Sequence, residues 1–303
     1  MCSDLRWLRY RSSEEDSDRW RRFPFREGDV VVSSRSKSGT TWVQQICLSL
    51  VHGSPALPAP LGRLSPWVDW LTEPEDLLFS RLDAQPGRRV VKTHTPLDGV
   101  VIDSRATYVV VVRDPLDMAV SLYHQGDNLD RERIAELTGR TASAPSPRPP
   151  LSDWLVRWTT EEADPMLSMD SLAGVVHHAA DACARADDQR VLVVRYEELV
   201  ADLEGQMRWL SDRLGIVLDP KDWPSLVAGA TFASMRAAAT ERAPDHRGVL
   251  KDPAAFFRRG TPGAGREVLA AEDVAAYEQK VRDLLAAEEV DDPAEVLRLL
   301  SVG

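Results

Sequence analysis

Several residue types that mark common classes of protein are scarce in this sequence of 303 residues. The three cysteines, Cys2, Cys47 and Cys183, are far apart and form no CxxC pair. We therefore expect neither a disulfide framework nor a zinc site, and a reducing cytoplasm suits the chain best. No run of about 18 apolar residues occurs, so no membrane span is expected. Residues 1–22 are rich in charge and lack an apolar stretch, which argues against a secretory signal.

Positive charge is also in deficit. Lysine and arginine number 37 against 48 aspartates and glutamates, which gives a formal net charge of −11 at pH 7. A general nucleic-acid binder would carry a basic surface, so we expect no nucleic-acid partner. An anionic ligand is compatible with this balance only if positive charge is concentrated where the ligand binds. Local clusters of lysine and arginine beside phosphate-binding loops are therefore the features to look for.

Short apolar segments alternate with helical patterns along the chain. A helix with one apolar face is predicted from about Thr41 to the breakers Gly53 and Pro55. This alternation favours a parallel α/β sheet with crossover helices. We expect a three-layer, P-loop-like α/β fold whose central parallel sheet has about five strands, flanked by helices, with ligands at the carboxyl ends of the strands. The sequence itself marks four strands, at residues 29–34, 89–93, 107–113 and 191–196.

The chain is predicted to form one domain over residues 1–303, because its length and composition suit one large core. Residues 138–150, TGRTASAPSPRPP, are rich in proline and serine and predict a flexible loop. That loop is either plain surface or a lid beside an acceptor pocket. The sequence leaves the oligomeric state open, with a homodimer among the alternatives.

The first strand runs into a candidate phosphate loop, SRSKSGTTW at residues 34–42. A glycine lets the backbone approach an oxyanion, hydroxyl and N–H groups at a helix start donate to it, and Lys37 supplies a full charge. The order is not the P-loop order GxxxxGK followed by serine or threonine, because Lys37 precedes Gly39. By itself the segment is either an ordinary helix entry or a ligand loop.

Candidate catalytic side chains lie at the end of the second strand. His94 is either a strand-end residue with local hydrogen bonds or a general base, since a histidine pKa near 6.5 leaves the ring neutral at about pH 7. Lys92 lies on the same side of the strand as His94. His124, His177 and His178 are interpreted as non-metal residues, because no acidic partner stands at a ligand spacing.

Arg113 ends the third strand, and its planar guanidinium suits a phosphate. The alternative is an ion pair with Asp114 or Asp117. Asp114 followed by Pro115 also predicts a helix start, with the aspartate as N-cap.

Taken together, the segments resemble the PAPS-dependent sulfotransferases, whose donor is 3′-phosphoadenosine 5′-phosphosulfate. KSGTTW at 37–42 is similar to their phosphosulfate loop, KTH at 92–94 to their histidine strand, and Arg113 with Ser121 to their 3′-phosphate pair. Segments similar to the family's tyrosine strand, aromatic segment and basic loop follow in the family's order, at residues 195–199, 231–235 and 256–260. Overall the chain looks most like bacterial, actinobacterial-type members.

The resemblance implies transfer of a sulfuryl group from PAPS to an acceptor hydroxyl, with PAP (the desulfated 3′,5′-bisphosphate) as product. It implies the catalytic residues His94, as general base, Lys37 and Lys92. It implies that the donor is bound by Lys37, Ser38, Gly39, Thr40, Thr41, Trp42, Arg113, Ser121, Tyr196, Thr231, Phe232, Met235, Arg258, Arg259 and Gly260. No metal is expected, because the Lys37 charge would replace the magnesium of P-loop NTPases.

The chain departs from the family pattern in four places. Arg35 and Ser36 stand at the loop entrance where an aromatic residue and proline are common, and Ala230 replaces a threonine. Residues 264–265 replace the usual Asp-Trp, and Arg266 replaces the final lysine, which keeps the charge at that position.

The acceptor is a small molecule or lipid with a hydroxyl group: a glycolipid, a phenol or a secondary metabolite. Trp67, Trp70, Trp154 and Trp158 suggest an apolar acceptor pocket, or else are core residues. Two other functions stay open on the sequence: a P-loop kinase or NTPase, and a non-catalytic PAP-binding protein.

Overall fold

The computed structural model describes residues 7–141, 147–245, 247–288 and 290–303. Residues 142–146 of the predicted loop at 138–150 lie outside the described residues. The described part of the chain contains a parallel sheet of four strands, rather than about five, in the order β2-β1-β3-β4. The strands are β1 (Asp29–Ser34), β2 (Val90–Thr93), β3 (Ala106–Val112) and β4 (Val191–Arg195).

The helices pack on both faces of this sheet. They are α1 (Thr40–His52), α2 (Leu61–Leu64), α3 (Glu75–Asp83), α4 (Pro115–Asn128), α5 (Arg131–Leu137), α6 (Leu151–Thr160), α7 (Leu172–Ala184), α8 (Tyr196–Ala201), α9 (Leu203–Arg213), α10 (Trp223–Ala230), α11 (Phe232–Ala237), α12 (Ala239–Arg242), α13 (Ala271–Ala287) and α14 (Pro293–Leu299). Short 3₁₀ helices cover Ser17–Arg21, Leu97–Gly99 and Ala254–Phe256.

The layers follow from the alternation of side chains along β1. Val30 and Val32 pack on one side with α1, α9 and α10. Val31 points to the other side and packs with α3, and α4, α6, α7 and α13 extend that second helical layer. The sheet is therefore buried on both faces, which explains why its strands read as uninterrupted apolar runs. The predicted three-layer α/β architecture is confirmed.

The register of the sheet brings the predicted site segments to one edge. Ser33 of β1 lies opposite Thr93 of β2, and Ser34 lies opposite Val111 of β3. Val112 of β3 lies opposite the last residue of β4. Because all four strands run in the same direction, the residues that follow them emerge side by side.

The ends of the two helices next to this edge are set by local sequence. Gly39 precedes α1 with φ 104°, and α1 ends at Gly53 with φ 61°, a left-handed C-cap. The carboxylate of Asp114 accepts a hydrogen bond of 2.8 Å from the N–H of Leu116, and Pro115 occupies the first turn of α4. The predicted N-cap of α4 is confirmed.

Candidate active site

The carboxyl edge of the sheet opens into a cavity of about 360 Å³. Its walls come from the loop after β1, the end of β2, residues 121–126 of α4 and the segment before Gly260, so they join segments far apart in sequence. Of the residues predicted for catalysis or donor binding, those that line this one cavity are Lys37, Gly39, Thr40, Thr41, Trp42, Lys92, His94, Arg113, Ser121, Tyr196, Phe232, Met235, Arg258, Arg259 and Gly260.

Ser38 and Thr231 are not among the described residues that line the cavity. Ser38 is 2% exposed, and its N–H donates to the carbonyl of Arg35. The Thr231 hydroxyl donates to the carbonyl of Ala228 at 2.9 Å and accepts from the N–H of Ser234 at 3.2 Å, so it caps α11. For these two residues the structure shows a local structural role in place of a position on the cavity wall.

The phosphate loop after β1 has an unusual backbone. Lys37 has φ 65° and Gly39 φ 104°, both in the left-handed region. A Cβ on Gly39 would lie 2.8 Å from Cδ2 of Tyr196, so only glycine fits there. The first N–H groups of α1 have no partner within the helix, and with the Thr40 and Thr41 hydroxyls they supply donors at the cavity wall.

Lys37 is surrounded by positive charge. Its Nζ lies 3.2 Å from Oε1 of Gln125 and 3.7 Å from the centroid of the Phe256 ring. Burial lowers the pKa of Lys37 to about 7, and the charges of Arg113, Lys92 and Arg258 act in the same direction. A site that holds four cations against their mutual repulsion is suited to a multiply charged anion.

Arg113 is held at the cavity wall with part of its hydrogen-bonding capacity unused. It is 7% exposed, lies 4.2 Å from the ring centroid of Tyr196, and donates through Nη1 to the Lys37 carbonyl at 3.0 Å. Its Nη2 is 3.8 Å from Asp117, so the alternative ion pair exists only as a long contact. Within the described ranges its buried Nε has no hydrogen-bond partner. A phosphate oxygen would supply one.

The side chain of Asp117 holds the C-terminal loop against α4. Its two carboxylate oxygens accept from the N–H groups of Gly263, at 2.8 Å, and Gly265, at 2.9 Å. A Cβ on Gly265 would lie 2.3 Å from Cβ of Leu116, so this close approach leaves no space for a larger residue. Backbone hydrogen bonds to Asp117 thus fix the loop where the family pattern has Asp-Trp. Sequence reasoning missed this role, because an acid in the first turn of α4 was already explained by helix electrostatics.

The arginines of the C-terminal segment differ in what they contact. Arg258 lines the cavity, whereas Arg259 reaches the cavity wall and also pairs with Glu267 through two bonds of 2.7 Å. Arg266 pairs with Glu278 at 2.9 Å. Among the residues described here Arg266 is not part of the cavity wall, and the expectation that it keeps the charge of the family's final lysine stays a prediction.

The ring of His94 is held in one orientation just after β2. Its Nδ1 is 2.6 Å from the carbonyl oxygen of Ser34. A carbonyl only accepts, so Nδ1 carries the proton and Nε2 keeps its lone pair. Burial and the charge of Lys92, whose Nζ lies 3.5 Å from Nε2, hold the pKa of His94 well below its usual value. The ring is therefore neutral and able to take a proton.

Aromatic side chains form the part of the cavity beside α1 and α11. Trp42 lies edge-on to Tyr196, with centroids 5.4 Å apart, and its Nε1 donates to the carbonyl of Ala230 at 2.7 Å. Gly260 has φ 73°, and a Cβ there would lie 2.5 Å from the ring of Phe232. Flat surfaces of this kind suit a nucleobase. The missing threonine at position 230 leaves a backbone carbonyl as the polar group.

The other half of the cavity was predicted only in part. Of the four tryptophans suggested for an acceptor pocket, Trp67 and Trp70 line the cavity, whereas Trp154 and Trp158 pack in the core beside α4 and α7. Carboxyl groups of Glu14, Glu15 and Asp170 also line the cavity, and Ser36 donates its N–H to Oδ1 of Asp170 at 3.1 Å. No motif signalled these residues, because they come from irregular segments and meet only in the fold.

Two of the remaining histidines have local partners. His177 lies 2.9 Å from Asp98 and 2.8 Å from Glu288, and these carboxylates raise its pKa to about 10 against the effect of burial. His178 is buried, with Nε2 3.0 Å from the hydroxyl of Ser33. Both are explained by pairing within the fold.

Comparison with known proteins agrees with this geometry. The family model of the sulfotransferase domain matches residues 27–288. A glycolipid sulfotransferase of Mycobacterium bovis BCG is 33% identical over 297 residues, which cover 91% of this chain and 90% of the relative. The chain therefore belongs to the sulfotransferase family, and it is a PAPS-dependent enzyme that transfers a sulfuryl group to an acceptor hydroxyl.

Solved structures show the same fold at low identity. A mouse sulfotransferase in complex with PAP has a TM-score of 0.66 and 19% identity, with 96% of this chain and 94% of that one covered. Retinol dehydratase in complex with retinol and PAP has a TM-score of 0.65 and 21% identity, with coverages of 92% and 89%. Among the helices that the structure describes, none is long and apolar enough to cross a lipid bilayer.

The residues present fit a bisphosphorylated donor. Positive side chains meet at the cavity, Arg113 has a buried unpaired Nε, and Gly39 and Gly260 adopt backbone conformations and close contacts that a larger residue could not. The aromatic wall offers flat surfaces beside these donors.

Proposed function

We propose that the enzyme sulfates a hydroxyl group of a glycolipid, with His94 as the general base. The observation that carries this proposal is the neutral imidazole at the boundary between a cationic and an acidic, aromatic half of one cavity. The mycobacterial relative described as a glycolipid sulfotransferase supports the lipid acceptor. Phenols and secondary metabolites are the alternatives that the experiment below separates.

The role of His94 is to remove the acceptor proton. Nε2 is the free ring nitrogen, and the hydrogen bond from Nδ1 to the Ser34 carbonyl fixes the ring and its tautomer. Proton removal by a positioned base contributes about 10²–10⁴ in rate. Lys92, 3.5 Å from Nε2, keeps the imidazole from protonating early and stabilises charge on the transferring group.

The negative charge on the leaving phosphate would be stabilised by Lys37, Thr40 and Thr41. PAPS supplies the sulfuryl group and a phosphate that departs with negative charge, and Lys37 stands where that charge would be met.

We propose that Arg113, Ser121 and Arg258 hold the 3′-phosphate, and that Tyr196, Trp42, Phe232 and Met235 surround the adenine. Since Lys37 supplies the charge at the leaving group, we propose metal-independent turnover.

We infer a cytoplasmic location from the sparse cysteines.

A PAPS-dependent screen of acceptors tests the proposal. The acceptors are an alkyl glucoside, 4-nitrophenol and a sterol, and the product is detected by mass spectrometry as the gain of one sulfuryl group. We expect the alkyl glucoside to be sulfated with the highest kcat/KM, and EDTA to leave the rate unchanged. PAP binding without turnover of any acceptor would indicate a non-catalytic protein, and a preference for the phenol would overturn the glycolipid assignment.

A further inference from the structure

Three acidic side chains line the acceptor half of a cavity whose other half binds an anion. Glu14, Glu15 and Asp170 all face the space that His94 borders. The backbone explains how Glu15 comes there: Trp67 pairs with Lys92 of β2, and Trp70 pairs in turn with Glu15. Glu15 is thus held beside the strand that carries the base.

The carboxyl group of Glu15 lacks a partner. Its Oε2 is buried, and within the part of the chain that the structure describes no donor or acceptor satisfies it. Burial, together with the charges of Asp69 and Asp170, raises the pKa of Glu15 well above its usual value, so the group is able to donate as well as accept. An unsatisfied buried polar group is costly, which points to a hydroxyl-bearing ligand as its partner.

The indole rings of Trp67 and Trp70 form a stacked pair beside these carboxyls. Their centroids lie 4.9 Å apart with planes inclined by 21°, and both residues line the cavity. The ring centroid of His94 lies 4.4 Å from that of Trp67, and Nζ of Lys92 lies 4.6 Å from the Trp67 centroid. Aromatic faces pack against the C–H groups of a sugar ring, whereas the hydroxyls of that ring need hydrogen-bond partners.

The wall contributed by other segments is apolar. Its residues are Leu129, Ile134, Val249, Leu250 and Phe257. The cavity thus offers polar and aromatic contacts on one side and an apolar surface on another. A phenol or sterol would leave the Glu15 carboxyl unpaired, and the positive charges of Lys37, Lys92 and Arg113 disfavour a cationic acceptor.

On these grounds, and resting on the proposed sulfuryl transfer, we propose that Glu15 and Asp170 are specificity-determining residues that hydrogen-bond to hydroxyls of an acceptor sugar packed against the Trp67–Trp70 pair. The sugar presents the free hydroxyl that is to be sulfated to Nε2 of His94. An attached acyl or alkyl chain would lie along the apolar wall.

The test compares octyl glucoside with 4-nitrophenol in the full-length Glu15→Leu variant, because leucine has about the size of glutamate but neither donates nor accepts a hydrogen bond. We expect the ratio of kcat/KM for octyl glucoside to kcat/KM for 4-nitrophenol to fall at least about tenfold, since one hydrogen bond in a buried site is lost. Asp170→Asn should lower the ratio in the same direction. The matched control is Glu132→Leu, an exposed residue in the first turn of α5, which should leave the ratio unchanged. PAP affinity by calorimetry verifies that each variant is folded.

The outcomes separate this inference from the proposed function. An unchanged ratio in both Glu15→Leu and Asp170→Asn, with PAP affinity intact, overturns the sugar assignment while sulfuryl transfer stands. Turnover of 4-nitrophenol but not of octyl glucoside by the wild type does the same. If the wild type turns over neither acceptor, both the sugar assignment and the proposed function are overturned. Methyl glucoside distinguishes the source of the sugar: a KM at least about tenfold above that of octyl glucoside indicates a lipid-linked acceptor, and an equal KM indicates a soluble one.

Discussion

The two halves of the cavity are built on different principles. The donor half combines residues that closely follow strand ends, such as Lys37 and Arg113, with residues of α4, α11 and the segment 258–260, and it is positively charged. The acceptor half takes its carboxyls and indoles from irregular segments around residues 14–15, 67–70 and 170. The difference shows that donor binding depends on backbone features any α/β sheet offers, whereas acceptor choice depends on how the peripheral segments fold over that sheet.

The charged groups around the cavity change from basic near Lys37 to acidic near Glu15. The neighbours that act on Lys37 are Arg113, Lys92 and Arg258, all positive. Lys92 stands at the boundary, where burial lowers its pKa to about 8 while Glu15, Asp69 and Asp170 act in the opposite direction. His94 lies between the halves. Burial and the positive charge of Lys92 both lower its pKa, so the ring stays neutral.

The largest effect is expected where the halves meet. His94→Ala removes the only atom proposed to accept the acceptor proton, so kcat should fall about 10²–10⁴-fold, while PAP affinity changes little. Single-turnover assays with PAPS and calorimetry with PAP measure the two quantities. His52→Ala, at the exposed end of α1, is the control. Near-normal turnover of His94→Ala would show that another group is the base and that the two halves do not meet at His94.

The next largest effect concerns the donor half alone. Lys37→Met removes the charge that faces the leaving phosphate and should lower kcat about 10²–10³-fold. The preference among acceptors should be unchanged, because Lys37 belongs to the opposite half. Lys221→Met, an exposed lysine paired with Asp219, is the control. A shift in acceptor preference in Lys37→Met would contradict the division of the cavity.

The pH dependence of PAP binding sharpens the same comparison. The charged form of Lys37 exists below its pKa of about 7 and is lost above it. The anion binds the charged form better, so PAP affinity should fall by roughly an order of magnitude between about pH 7 and 9. Lys92, with a pKa of about 8, contributes in the same sense. Calorimetry across this range should give a flatter curve for Lys37→Met, and an affinity that rises with pH would refute the assignment.

The smallest effect is expected at the adenine wall. Gly260→Ala places a Cβ 2.5 Å from the Phe232 ring, so Phe232 must shift and PAP affinity should fall about tenfold. Gly248→Ala is the matched control, since Gly248 also has a left-handed φ, 68°, but open space around its Cβ. Both variants bear a backbone strain of about 1–2 kcal/mol, which thermal unfolding measures. Equal PAP affinities in the two variants would show that Phe232 does not belong to the donor-binding wall.

Much of the fold could be predicted because the sheet is buried on both faces. Uninterrupted apolar runs such as TYVVVV at 107–112 mark strands without ambiguity, and Asp114 with Pro115 marks the start of α4. Lys37, His94 and Arg113 could be placed at the edge of the sheet because they closely follow those strands, whereas the full set of donor residues was implied by the resemblance to the sulfotransferases. The structure adds local contacts that the sequence did not show: Thr231 caps a helix, and Arg266 pairs with Glu278, while their roles towards the donor stay predictions.

The sequence by itself determined the strands, the parallel edge and the set of charged residues placed there, because periodicity and helix capping act over a few residues. Only the tertiary structure decided that Asp117 holds the C-terminal loop and that Glu15, Trp67, Trp70 and Asp170 share a wall with His94. Those contacts join segments separated by tens of residues through hydrogen bonds and packing. No local pattern encodes such a meeting, since the partners are far apart in sequence and each stands in an ordinary turn, helix or irregular segment.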